Sequence, residues 1–163
     1  MTTSTIPAQR SSPLALVVAG GLMAGTLDIV YACVFWAVKA DVPARRIFQS
    51  VAAGLLGKAS FEGGWGTAAL GLGLHFFIAL SMAAVYYFVA IRWPLLRERA
   101  AWCGVAYGLA LYGIMNYVVV PLSAVPQSGS KNALWVTLSI VVHMFLIGVP
   151  IAVFSRRAIE AGG

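Results

Sequence analysis

Four apolar runs dominate this chain, at residues 14–38, 66–91, 100–122 and 133–155, and each is long enough to be a membrane span. A helix rises about 1.5 Å per residue, so roughly 20 residues cross about 30 Å of hydrocarbon. A water-soluble fold would have to bury all four. With 61% hydrophobic and only 10% charged residues, the chain lacks the polar surface to clothe them. The expected fold is an all-α membrane protein with four transmembrane helices, formed by a tail at 1–13, one domain at 14–155 and a tail at 156–163. Disordered, disulfide-stapled and nucleic-acid-binding folds are excluded by the same composition. The first run follows Arg10 as a signal peptide would, but it is too long for an h-region and no persuasive cleavage site follows, so it is expected to be retained.

Tryptophan positions support these boundaries. Trp36, Trp65, Trp93, Trp102 and Trp135 all fall within a few residues of a span end, the level at which indole prefers to sit. Between the first two spans, Pro43 is placed to open a helix that puts Ile47, Phe48, Val51, Ala52 and Leu55 on one face. Arg45, Arg46, Gln49 and Lys58 lie mostly elsewhere, so residues 43–57 read as an amphipathic helix in the membrane interface, ended by Gly57 and the Gly63–Gly64 pair. A buried re-entrant segment is the alternative. Cys33 and Cys103 fall near opposite faces, too far apart to bridge, and read as packing residues.

The net charge of +6 sits beside and between the apolar runs, where it sets topology and does not form a nucleic-acid patch. Arg10, Arg92, Arg97, Arg99, Arg156 and Arg157 fall on one side, and Lys39, Arg45, Arg46, Lys58 and Lys131 on the other. The compact 92–99 loop and the terminal arginines lie close to span ends, which places both termini in the cytoplasm.

Four side chains are out of place in hydrocarbon: Asp28, His75, Asn116 and His143. Measured from each span's midpoint, and with alternate spans running in opposite directions, all four fall at or on the outer side of the midplane. Gly21, Gly25, Asp28 and Ala32 share one face of the first span, and Ala68, Gly71, His75 and Ala79 one face of the second. Gly21 with Gly25, and Gly104 with Gly108, are close-approach pairs of the kind that let helices pack, within the bundle or between copies in a homo-oligomer. An offset of 88 residues superposes Gly20, Gly25 and Asp28 on Gly108, Gly113 and Asn116, and one of 68 superposes His75 and Phe77 on His143 and Phe145. Two such hairpins in parallel would be related by a pseudo-two-fold axis along the membrane normal.

Three readings of this layer stay open. In the first, Asp28 accepts hydrogen bonds from His75, His143 or Asn116 and the layer only locks the helices together. In the second it is a proton or solute path, because burial raises a carboxylate's pKa while imidazole titrates near neutrality; Tyr31, Tyr107, Tyr112 and Tyr117 would extend it. In the third, His75 and His143, the only two histidines, are axial ligands of a b-type haem, or join Asp28 around a metal. No cofactor motif accompanies them, and none is otherwise expected. The chain has no G-x-S-x-G, H-E-x-x-H, phosphate loop or paired-Cys motif, so an enzyme is not expected.

The stretches AGTLDIVYA at 24–32, QSVAAGLLGKASFEGG at 49–64 and MNYVVVPLSA at 115–124 together resemble a family of small, uncharacterised four-span membrane proteins of proteobacteria, across nearly the whole chain. In that family the membrane Asp, the glycine-rich segment and the Asn-Tyr stretch recur. The resemblance implies a bacterial inner-membrane location with no assigned activity. The partners expected from the spans and the glycine faces are the lipid bilayer and copies of itself or other membrane proteins. A looser likeness to inner-membrane proteins linked to acid resistance implies proton handling.

Overall fold

The computed structural model describes residues 12–126 and 132–162, and these are helical with no strand. The long elements are α1 (Pro13–Ala40), α2 (Ala44–Leu56), α3 (Gly64–Arg92), α4 (Ala100–Leu122) and α5 (Ala133–Gly162). All except α2 are long and apolar enough to cross a membrane. The span boundaries lie close to those expected, with one difference. The fourth helix does not stop at 155 but runs to Gly162, so Arg156 and Arg157 stand on a helix and not in a tail. The expected tail up to residue 11, with Arg10, and the basic Lys131 lie outside the described residues.

Local chemistry explains the helix ends. Ser12 Oγ accepts the Ala15 N–H at 3.4 Å and Pro13 occupies the first turn, where its missing N–H costs nothing. At the other end Asp41 turns left-handed at φ 52°, and the Asp41 and Val42 N–H groups close onto the Ala37 and Trp36 carbonyls at 3.0 and 3.2 Å. Pro43 then bars continuation and opens α2. Gly57 and Gly64, both at positive φ, bracket the short 3₁₀ turn Gly57–Phe61 that leads into α3.

α2 is amphipathic as expected and lies against the first turns of α3. Gly71 of α3 presses on the Phe48 carbonyl so closely that no side chain fits between them. Gln49, only 1% exposed, donates from Nε2 to the Gly64 carbonyl at 2.9 Å and to Thr67 Oγ1 at 3.3 Å. Thr67 in turn donates to the Ser60 carbonyl at 2.6 Å, and Ala124 N–H reaches the Gly54 carbonyl at 3.0 Å. These bonds tie α2 to the start of α3 and to the end of α4.

α4 and α5 are not continuous α-helix. α4 widens into a π turn at Met115–Val119 and α5 at His143–Gly148, each just before a proline, Pro121 and Pro150. A proline inside a helix has no N–H to give and its ring presses on the carbonyl four residues back, here Tyr117 and Leu146. Both carbonyls lie in the widened turns. Reaching one residue further relieves the clash, and the Val120 N–H does so by bonding the Met115 carbonyl.

Packing is inverted relative to a soluble domain. Ala24, Ala52, Ala90 and Ala152 are fully buried, while Val38 and Leu122 are 85% and 83% exposed. Small residues inside and large apolar ones outside suit a bundle surrounded by lipid, where close backbone approach replaces a large-residue core. Gly21 meets Leu80 and Ala83 of α3, and Gly25 meets Ala79 and Phe76. Gly104 and Gly108 meet the backbone of α5 at Gly148 and His143. The glycine faces expected to serve a homo-oligomer are thus filled by the chain's own helices. Both cysteines are free.

Candidate functional site

Asp28, His75, Asn116 and His143 line one cavity of about 280 Å³ inside the bundle. Each comes from a different spanning helix, and α2 adds Ile47, Ser50 and Val51 to the wall. The small-residue face of α1 makes the space: Ala24, Gly25 and Ala32 line it beside Asp28. Asn116 is exposed as well as cavity-lining, so it stands where the cavity opens to the surroundings.

Among the described residues the four side chains do not bond one another, and His75 alone of them bonds across to another helix. His75 Nε2 lies 2.8 Å from the Gly25 carbonyl on α1. His143 Nδ1 lies 2.8 Å from the Ser139 carbonyl one turn back, and Asn116 Nδ2 donates to the Tyr112 carbonyl at 2.9 Å. A carbonyl only accepts, so the proton of neutral His75 is on Nε2 and that of neutral His143 on Nδ1, leaving the other nitrogen of each able to accept. The expected bonds from these three groups to Asp28 are not made. Asn116 and His143 instead bond carbonyls one turn back on their own helices, and His75 bonds a carbonyl of the facing helix. Among the described residues the Asp28 carboxylate has no hydrogen-bond or ion-pair partner.

The tyrosines divide. Tyr31 OH is 3.3 Å from Ser139 Oγ, and the Tyr112 ring meets His143 edge-on at 5.4 Å between centroids. Tyr107 instead donates to the Met82 carbonyl at 2.8 Å, and Tyr117 is 80% exposed, so neither extends the layer. One feature lay outside the sequence expectation. Trp36 and Trp135, assigned to an interfacial belt, pack together at 5.3 Å and line the cavity. Trp135 stacks on Tyr31 at 5.2 Å and meets Phe35 at 4.9 Å, which closes an aromatic wall between α1 and α5. The signal was the four-residue spacing of Tyr31 and Phe35 on one helix face, next to Trp36. The partner helix could not be named from sequence.

The histidine pair bears on the haem reading through its hydrogen bonds. His75 Nε2 is held by the Gly25 carbonyl, so ligation through that atom requires the bond to break. Asp28, His75 and His143 share the cavity but do not close into a ligand set. Among the described residues no three His, Cys, Asp or Glu side chains are grouped to hold a metal ion. Comparison with protein families, with curated proteins and with solved structures finds no match to this chain.

Proposed function

We propose that this is a small multi-pass protein of a bacterial inner membrane, with both termini in the cytoplasm, that takes up a proton or a small cationic solute at Asp28. On this reading it is a transport or proton-handling component and not an enzyme. The supporting observation is a carboxylate without a hydrogen-bond or ion-pair partner among the described residues, at a cavity large enough for a small solute. An ionisable group kept inside a membrane bundle is costly, and its usual use is in ion and proton pathways. An uncommitted carboxylate favours this over a structural lock, in which Asp28 would accept the neighbouring donors. The tautomers of His75 and His143 each leave one nitrogen free to take a proton.

In the same reading α2 lies in the membrane interface. Arg45 stands over the Trp65 ring at 5.9 Å and Arg46 over Phe61 at 4.6 Å, which holds its charged face at the level of the exposed Trp65. The bilayer is the partner this requires. Self-association is left to the outer faces, since the glycine faces are filled. Membership of the four-span proteobacterial family is part of the proposal and rests on the quoted stretches.

The test is collapse of an imposed pH gradient in proteoliposomes, followed with an internal pH-sensitive dye, with and without small amines such as methylammonium outside. Wild type is expected to dissipate the gradient and Asp28→Asn to abolish that activity while melting as wild type does. No flux from wild type, together with a lowered melting temperature for Asp28→Asn, would establish the structural role instead.

A further inference from the structure

We propose that the groove between the α3–α4 turn and the last turns of α5 binds a phosphate group, supplied by an anionic phospholipid headgroup. The groove has a volume of about 450 Å³ and is lined by Arg99, Arg156 and Arg157, with Glu98, Glu160 and Trp102. It lies at the end of the bundle opposite α2, where α3 finishes, α4 begins and α5 finishes.

Charge at this end does not balance within the protein. Among the described residues it carries Arg92, Arg97, Arg99, Arg156 and Arg157 against Glu98 and Glu160. Among the described residues one ion pair forms there, joining Arg156 Nε to Glu160 Oε1 at 2.7 Å. That bond uses the inner nitrogen of the guanidinium, so it orients Arg156 and leaves the terminal nitrogens without an acceptor among the described residues. Arg157 lies over the Phe154 ring at 5.7 Å and has no acidic partner among the described residues. Two guanidinium groups on consecutive residues of α5, each steadied by a side chain of the same helix, present planar forks of the kind that match phosphate oxygens.

The level of the groove argues for a lipid as the source. Trp102, on its lining, is 75% exposed, and Trp93 is exposed on the same turn, which marks the headgroup level of a span end. Basic pockets between span ends are the known form of such recognition. The lipid source rests on the membrane-spanning reading but not on transport at Asp28, and the test below does not use Asp28.

The experiment reconstitutes the full chain in nanodiscs of equal phosphatidylglycerol and phosphatidylcholine, strips bulk lipid with mild detergent and measures the ratio of the two lipids retained. Wild type is expected to retain phosphatidylglycerol by a factor on the order of ten over phosphatidylcholine, as two arginines at a surface would favour it. The ratio should fall several-fold in the Arg156→Gln/Arg157→Gln pair, which leaves Arg99 on the lining. It should stay unchanged in Arg45→Gln/Arg46→Gln, which removes the same charge from the other end. Both double variants are required to melt as wild type does, so that loss of folded protein does not imitate loss of the site. Parity in wild type, or an equal fall in both double variants, overturns the proposal. Displacement of phosphatidylglycerol by millimolar inorganic phosphate overturns the lipid source and gives the groove to a soluble phosphate compound.

Discussion

α1 and α3 meet side chain to backbone, whereas α4 and α5 meet backbone to backbone. Gly25 of α1 lies against the Ala79 methyl and the Phe76 ring. Gly108 of α4 lies against the His143 carbonyl itself, and Gly104 against the Gly148 carbonyl at 2.7 Å from where a Cβ would stand. The first pair is regular α-helix throughout, and His75 crosses from α3 to bond α1. The second pair carries both π turns, and its polar residues Asn116 and His143 bond only their own helices. Residues matched by sequence offset are therefore held in different ways, and the suggested internal repeat does not extend to local geometry. Gly113, the counterpart of Gly25, meets nothing within 4 Å. What distinguishes the pairs is a proline after each polar residue of the second pair, which displaces the helix register and needs glycine contact to restore close packing.

The largest test of this contrast is Gly108→Ala. Its new methyl would stand on a main-chain oxygen that cannot rotate aside, and a loss of about 3 kcal/mol is expected. Gly25→Ala meets a methyl and a ring at 3.0 Å, both side chains with some freedom, and should cost about 1 kcal/mol. Reversible unfolding in mixed micelles measures both, and equal costs would dissolve the distinction between the two interfaces.

The histidines sharpen it at the next level. His75→Phe removes a bond between helices and should cost about 1 kcal/mol, within the range of such bonds in membranes. His143→Phe removes only a bond within α5 and should cost clearly less; a reversed order would mean that His143 is the interhelical group. Tyr31→Phe removes the contact to Ser139 but keeps the stack on Trp135, so a loss of about 0.5 kcal/mol is expected from the same measurement. Gly113→Ala comes last. It enters open space and should leave stability within about 0.5 kcal/mol of wild type. A large loss there would show that Gly113 is matched to Gly25 in packing as well as in sequence.

Much of the site was legible in advance because hydrocarbon is an unforgiving solvent. A carboxylate, two imidazoles and an amide stand out in runs of Val, Leu and Ala, and helical rise alone puts them at or on the outer side of the midplane. Their partners were not legible. Whether His75 bonds Asp28 or the Gly25 carbonyl depends on the rotation of α3 against α1, and on the absence of a side chain at Gly25 that exposes the carbonyl. The π turns could be anticipated only as proline-induced disturbance. Trp36 and Trp135 looked like belt residues, since an indole at a span end is the same in sequence whether it faces lipid or another ring.

By itself the sequence determined the four spans, the amphipathic character of α2 and the four polar residues at the cavity. Length, periodicity and the cost of polar groups in hydrocarbon act locally along the chain and leave one economical arrangement. Only the tertiary structure decided that the glycine faces close within the protomer, that α2 walls the cavity and that the Asp28 carboxylate has no hydrogen-bond or ion-pair partner among the described residues. Those outcomes depend on helix rotation and on which donor reaches which carbonyl first, and such relations between distant segments leave no local trace.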